Sequence, residues 1–216
     1  MSAPFIRNHH YNWIKKQIGH LQHACQSVSD PRVVESVRGS TESRILELLP
    51  DTADGLQHPL AGISALRKSE DFQLYLRSVE SYMTEFPQIT EKQIRKLFPK
   101  AKKLPMPDLA VDFRYLTYLG WVDISSNKLF IVYPLNGQLA GIEGRYTPTN
   151  KKGICFLCGK HGESALYTAV SKARPAHASS DYYKAVGNYM CLDSRECNKN
   201  ITDVAPLERF CHEVLG

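Results

Sequence analysis

The sequence predicts an α+β protein. An antiparallel helical bundle occupies residues 1–87, and residues 88–216 form a domain built on an antiparallel meander and a four-cysteine metal site. Three observations carry this prediction. Apolar residues recur at helical spacing up to Phe86. From Tyr115 to Tyr146 the pattern changes to aromatic and β-branched runs separated by turn residues. Four of the six cysteines then fall into two close pairs, Cys155/Cys158 and Cys191/Cys197. A chain of 216 residues with 43 % hydrophobic residues can bury a core without disulfides.

The first helix is expected over residues 7–28. Tyr11, Ile14, Ile18, Leu21, Cys25 and Val28 are spaced three or four apart and make one apolar stripe. His9, His10, His20 and His23 fall mostly off it and read as solvated, and Cys25 on the stripe reads as a small core hydrophobe. Asp30 caps a second helix with Pro31 in its first turn. Val33, Val34, Val37, Ile45, Leu48 and Leu49 supply its apolar face, and Pro50-Asp51 ends it. After a loop over 51–59, a short helix is expected over about 60–68 with Leu60, Ile63 and Leu66. Ser69 then caps a helix to about Phe86 that carries Phe72, Tyr75, Leu76, Val79 and Met83. Four such helices with short connections favour an antiparallel bundle. No nucleotide loop or catalytic set stands out in them.

Beyond Pro87, Thr90 to Gln93 is a capping box that opens a helix with Ile94, Leu97 and Phe98. Lys92, Arg95, Lys96, Lys100, Lys102 and Lys103 surround it, and Pro99, Pro105 and Pro107 prevent further helix. Strands are expected at 115–121, 128–133 and 138–146, with turns at Ser125-Ser126-Asn127 and Asn136-Gly137. Gly141 and Gly144 suggest bulges or close approach within the third strand.

Cys155 and Cys158 form a knuckle that aims two sulfurs at one point, followed by Gly159. Thirty-two residues separate it from Cys191, and Cys197 completes the second pair. Thiolate is the soft ligand that zinc prefers, and a Cys₄ shell is the mark of one structural Zn²⁺. Two disulfides, an iron–sulfur cluster or plain buried thiols remain open on spacing alone, because the second pair is wider than the usual two-residue gap. Residues 165–170 and 189–191 read as a strand pair, joined by a polar, mobile connection from Lys172 to Lys184. Cys197 falls in a helical turn, and a last helix over 203–214 carries Val204, Leu207, Phe210, Cys211 and Val214. Knuckle, hairpin and helix-borne ligands, in that order, make a treble-clef finger over about 150–216. His161 and Asp181 offer further ligands for a metalloenzyme, a reading that four thiols make unnecessary.

Charge divides the chain. Residues 1–88 hold 9 Lys and Arg against 10 Asp and Glu, a net −1. Residues 89–216 hold 18 against 12, a net +6. The half with the metal site therefore suits an acidic partner or nucleic acid. The N-terminus lacks the basic and apolar regions of a signal peptide, and no apolar run reaches the roughly 20 residues of a membrane span. A cytoplasmic monomer is expected, where cysteines stay reduced and close pairs favour metal.

Several stretches together resemble a known family. They are Lys96-Leu97-Phe98-Pro99-Lys100-Ala101-Lys102-Lys103-Leu104, Leu119-Gly120-Trp121, Ser126-Asn127-Lys128, Ile131-Val132-Tyr133 and Gly141-Ile142-Glu143-Gly144. Lys152-Gly153-Ile154-Cys155-Phe156-Leu157-Cys158, Gly187-Asn188-Tyr189-Met190-Cys191-Leu192-Asp193-Ser194 and Cys197-Asn198-Lys199 complete the set. In this order they resemble the FusB-type proteins, the elongation-factor-G-binding family that protects translation from fusidic acid, over about residues 90–210. The resemblance implies an N-terminal helical bundle and a C-terminal α/β domain round a Cys₄ treble clef. It also implies a non-enzymatic role, in which the zinc domain binds elongation factor G and helps a drug-stalled factor leave the ribosome. Family contact positions fall on Ile154, Val186, Tyr189 and Phe210. Ile154 and Val186 depart from the phenylalanine and lysine expected there. Lys184, Arg195 and Lys199 lie nearby and would speed encounter with an acidic partner. The competing reading is an RNA- or ribosome-binding zinc module, with a contact to ribosomal RNA through the basic residues and aromatics.

Overall fold

The computed structural model describes residues 4–48, 60–173, 177, 179 and 181–216. The chain divides into two compact units, Met1–Thr84 and Glu85–Gly216. The expectations for Leu49, for a helix end at Pro50-Asp51, for the 51–59 loop and for residues 174–176, 178 and 180 of the 172–184 connection lie outside the described residues.

The first unit holds α1 (Asn8–Ser27), α2 (Pro31–Glu47) and α3 (Ser69–Glu80), with one 3₁₀ turn at Ile63–Ala65. Tyr11, Ile14, Ile18 and Leu21 of α1 are buried as their spacing demands. The Tyr11 hydroxyl donates to Glu80 Oε1 at 2.6 Å, tying α1 to the end of α3. The chain entering α1 is stitched to the chain leaving α3. Ile6 bridges Met83, and the Thr84 N–H donates to the Ile6 carbonyl at 2.8 Å.

Four details of this unit differ from the sequence reading. Asn8, His9, Asn12 and Gln17 are buried beside the apolar stripe of α1. The face of α2 is not its valine run: Val33 is exposed, and the buried positions are Arg38, Thr41 and Ile45. Arg38 is 3 % exposed, and its Nη1 donates to the carbonyls of Ile63 and Leu66 at 3.1 and 2.6 Å. A guanidinium that donates to two backbone carbonyls can take a core position. Third, the 60–68 segment makes only a 3₁₀ turn, closed by the Ala65 N–H on the Gly62 carbonyl at 3.1 Å and the Leu66 N–H on the Ile63 carbonyl at 3.2 Å, so three helices rather than four are found among the described residues. Finally, Ser69 is the first helical residue, and Asp71 does the capping by accepting from the N–H groups of Arg67 and Lys68 at 2.9 and 2.8 Å. α3 ends at Glu80, short of the expected Phe86.

The second unit is a five-stranded antiparallel sheet in the order β1 (Leu119–Asp123), β2 (Lys128–Leu135), β3 (Gln138–Ile154), β4 (His161–Val170) and β5 (Ala185–Met190). It also holds α4 (Glu91–Leu97), α5 (Ser194–Asn198) and α6 (Ala205–Leu215). Both faces of β2 are covered, which is why it reads as an unbroken apolar run. Leu129, Ile131 and Tyr133 face the core shared with the cysteines and α6. Phe130 and Val132 face a second core with Ile94, Phe98, Leu104 and Phe113. Thr90 caps α4 as expected, receiving the Gln93 N–H at 3.3 Å while Gln93 Oε1 accepts from Thr90 N–H at 2.9 Å. The Asn136-Gly137 turn has φ of +50° and +78°, the two left-handed residues that a two-residue hairpin requires. Gly141 is a close approach: a Cβ there would lie 2.8 Å from the Phe98 ring.

β1 begins later than the sequence suggested. Residues 113–115 make a 3₁₀ turn, with Asp112 Oδ1 accepting from the Arg114 N–H at 3.0 Å. The N–H groups of Thr117 and Tyr118 are taken by Asn198 and are lost to the sheet ladder. No described helix is long and apolar enough to cross a membrane.

Candidate functional site

Four elements deliver the cysteines to one place. β3 ends at Ile154, and the knuckle turns back at once: the Gly159 N–H reaches the Cys155 carbonyl at 2.8 Å, with Gly159 at φ +67°. Cys191 follows the last residue of β5. Cys197 lies in the single turn of α5, which Asp193 caps by accepting from the N–H groups of Arg195 and Glu196 at 2.8 and 3.3 Å. The wide spacing of the second pair is thereby explained, since the residues between Cys191 and Cys197 make a helix cap.

The four Sγ atoms lie within 4.8 Å of one another. Cys155 and Cys197 are 3.8 Å apart, as are Cys158 and Cys191. A disulfide requires about 2.05 Å, so the disulfide reading is set aside. A tetrahedron of thiolates around zinc, with bonds of about 2.3 Å, has edges of about 3.8 Å. The set fits one zinc ion that it would enclose with no open position. Cys155 and Cys197 are buried and Cys158 and Cys191 half-buried. Hydrogen bonds from Cys158, Cys191 and Cys197 pull the Cys155 thiol far down, and the negative sulfur so formed pushes Cys197 up. Four crowded sulfurs of this kind deprotonate together only around a cation.

Tyr118 gives an independent test of that fit. Its side chain is fully buried, and its hydroxyl makes no ordinary hydrogen bond to its surroundings. The ring packs in the same buried core as Cys155 and Cys197, so the sulfurs are the acceptors that this core offers it. An orphaned hydroxyl is expensive beside a neutral thiol and is satisfied beside a thiolate. Burial first, and then the nearby sulfurs, push this hydroxyl's pKa well above the ordinary tyrosine value, so it remains a donor. The sequence reading treated Tyr118 only as a strand residue and did not single out Asn198 for the site. Asn198 adjoins Cys197, the one signal available, and only the fold brings it to Tyr118.

The expected partner-facing residues are brought together only in part. Ile154 is 63 % exposed and Tyr189 51 % exposed. The Phe156 N–H donates to the Tyr189 carbonyl at 2.8 Å, so the knuckle holds the two backbones close, while Ile154 pairs with His161 and Tyr189 with Leu166, which puts their side chains on opposite faces of the sheet. Val186 and Phe210 line a separate cleft of about 380 Å³ between β5 and α6. Tyr189 pairs with Leu166 and Val186 with Ala169, so alternation along β5 places them on opposite faces. Phe210 is 2 % exposed, its ring 5.5 Å from Phe156 and 5.6 Å from Tyr167. The sequence leaves Phe210 between a contact position, by resemblance, and the apolar stripe of its helix; as folded it is a core residue at the floor of the cleft, because α6 buries that stripe. Of the expected steering charges, Lys184, Arg195 and Lys199 are all exposed, but two are already paired. Arg195 Nη2 meets Asp108 Oδ2 at 2.7 Å, and Lys199 pairs with Glu196. His161 is exposed and stands outside the sulfur cluster.

Comparison with known proteins follows the same division of the chain. Residues 5–87 match the family model of the elongation factor G-binding protein N-terminal region. Residues 94–213 match that of the FBP C-terminal treble-clef zinc-finger. No curated protein matches. A solved structure of the fusidic acid resistance protein FusC is similar at 25 % identity and a TM-score of 0.80, over 97 % of each chain.

Proposed function

The chain belongs to the family of elongation factor G-binding proteins with an FBP-type treble-clef zinc finger, and from that premise we propose that it binds elongation factor G as a monomer in the cytoplasm, promotes the factor's release from the ribosome and so protects translation from fusidic acid. The observation that carries this reading is that two exposed apolar side chains, Ile154 and Tyr189, sit on backbone next to the closed sulfur cluster, Ile154 directly before Cys155 and Tyr189 two residues before Cys191. A Cys₄ shell leaves zinc no open position for water or substrate, so its role is to fix backbone. A tyrosine held on such a backbone loses little entropy on docking, and anchors of this kind dominate interface energy. Ile154, Tyr189 and the rim of the Val186 cleft are the surfaces assigned to the partner, with Lys184, which makes no ion pair among the described residues, as the steering charge and Phe210 as the floor of the cleft. The role is non-enzymatic.

The fold likeness to FusC supports the drug-protection part of this reading. Size-exclusion co-migration of nuclease-treated chain with purified elongation factor G, at low and high salt, tests it. Co-migration that persists at high salt is expected. Migration as separate peaks at both salt concentrations would overturn it.

One observation favours a second reading, an RNA- or ribosome-binding zinc module. Lys92, Arg95, Lys96, Lys100, Lys102 and Lys103 are exposed on a segment pinned by buried Ile94, Phe98 and Leu104. A fixed row of cations suits phosphates, including those of ribosomal RNA. It would show as RNA binding with a steep salt dependence in the absence of any protein partner.

A further inference from the structure

The start of β1 is built around a tyrosine whose ring occupies space that a side chain on the next-but-one residue would fill. A Cβ on Gly120 would lie 2.5 Å from Tyr118 Cε2 and 3.1 Å from Ser194 Cβ. Glycine at 120 therefore lets the Tyr118 ring fold down between β1 and α5, the helix that carries Cys197. Three hydrogen bonds lock this arrangement. Asn198 Oδ1 accepts from the Tyr118 N–H at 3.2 Å, Asn198 Nδ2 donates to the Tyr118 carbonyl at 2.9 Å, and Ser194 Oγ donates to the Gly120 carbonyl at 2.6 Å. The ring thus lies in the same buried core as Cys155 and Cys197, and its hydroxyl is left there without a hydrogen-bond partner.

We propose that Tyr118 is an outer-shell residue of the zinc site: its hydroxyl donates to the sulfur of Cys197, holds that ligand in its metal-binding orientation and slows the loss of zinc. The reasoning is chemical. A thiolate bound to zinc keeps lone pairs that accept hydrogen bonds, and removing such an outer partner lowers metal affinity by about 10–100-fold. Cys197 is the most buried of the ligands together with Cys155. The same bond makes β1 part of the metal site, so that zinc orders the sheet's edge as well as the finger. The proposal concerns metal retention and does not depend on elongation factor G being the partner.

The experiment uses the full chain loaded with zinc, whose metal content is measured first. Zinc transfer to a colorimetric chelator is followed for the wild type, Tyr118→Phe and Tyr133→Phe. Tyr133 belongs to the same core, but its hydroxyl donates to Glu208 at 2.8 Å, so its variant controls for general loosening. Tyr118→Phe is expected to release zinc about tenfold faster, with Tyr133→Phe unchanged. In cobalt-substituted protein the Tyr118→Phe change is expected to shift the sulfur-to-cobalt charge-transfer band. Equal release from all three proteins, or equal acceleration in both variants, would overturn the proposal. Wild type carrying NMR-active cadmium gives a test that needs no variant. A slowly exchanging hydroxyl proton coupled to the metal through the Cys197 sulfur is expected, and a Tyr118 hydroxyl without that coupling would equally overturn it.

Discussion

Asn198 holds Tyr118 by both ends of its backbone: its carbonyl oxygen accepts from the Tyr118 N–H at 3.2 Å, and its amide donates to the Tyr118 carbonyl at 2.9 Å. The same oxygen takes the Thr117 N–H at 2.7 Å, and the amide also reaches the Ser194 carbonyl at 2.9 Å. One buried carboxamide thus joins the strand that enters the sheet to the helix that bears a metal ligand. Asn198→Ala removes the side-chain partner of the Thr117 and Tyr118 N–H groups and of the Tyr118 carbonyl. Each buried, unsatisfied group costs about 1–3 kcal/mol, so a loss of about 3 kcal/mol or more is expected from the second unit in denaturant unfolding. Asn198→Asp keeps the acceptor and loses the donor, and is expected to fall between the two. A variant with wild-type stability would show that β1 is held by something else.

Zinc removal is expected to unfold the finger and spare the first unit. Cys155→Ser or Cys191→Ser should lose the single zinc measured by elemental analysis and most near-ultraviolet signal from the second unit, while α1, α2 and α3 retain their helical circular dichroism. The physical reason is that structural metal binding is itself folding free energy. Unchanged melting in either variant would remove the structural role.

A fragment beginning at about residue 88 is expected to fold alone in the presence of zinc. Both faces of β2 are covered from within Glu85–Gly216, by the cysteines and α6 on one side and by α4 with Phe113 on the other. Dispersed amide resonances in NMR would be the expected result. A disordered fragment beside a folded full chain would mean that the two units complete one another's cores.

Asp71 gives the first unit a pH dependence of known sign. The N–H groups of Lys68 and Arg67 hold its carboxyl below the usual carboxylate range. The cap's contribution is therefore complete above the unfolded aspartate pKa, about 3.9, and is lost as pH falls through the lower folded value. Asp71→Asn should melt at a lower temperature at neutral pH, with the difference from wild type shrinking in acid. A constant difference at every pH would assign the effect to packing.

Much of this architecture could be read from residue spacing, and what could not has a common cause. Tyr11, Ile14, Ile18 and Leu21 declare α1 by period, Asn136-Gly137 declares a hairpin by its left-handed backbone, and the four cysteines declare their cluster by pairing. Arg38 was missed because its burial depends on two carbonyls that lie 25 and 28 residues away. β1 was placed too early because Thr117 and Tyr118, good strand residues by type, lose their donors to Asn198, 81 and 80 residues on. Phe210 lies on the apolar stripe of its helix and also at a family contact position, and helical spacing cannot say which neighbour covers a face. Local pattern determines elements, whereas long-range hydrogen bonding and burial determine which of their residues remain available for function.

The central claim is that a zinc-ordered face carrying Tyr189 binds elongation factor G. Calorimetric titration of the purified factor with zinc-loaded wild type and with Tyr189→Ala tests it most directly, with zinc content and melting temperature recorded for both. Tyr189 is half exposed, and its truncation should leave the fold intact. The account predicts saturable binding by the wild type and an affinity lower by tenfold or more in the variant, about 1.4 kcal/mol, at unchanged zinc content. Equal affinity in the two proteins would place the interface elsewhere, and no heat of binding from the wild type would contradict the account itself.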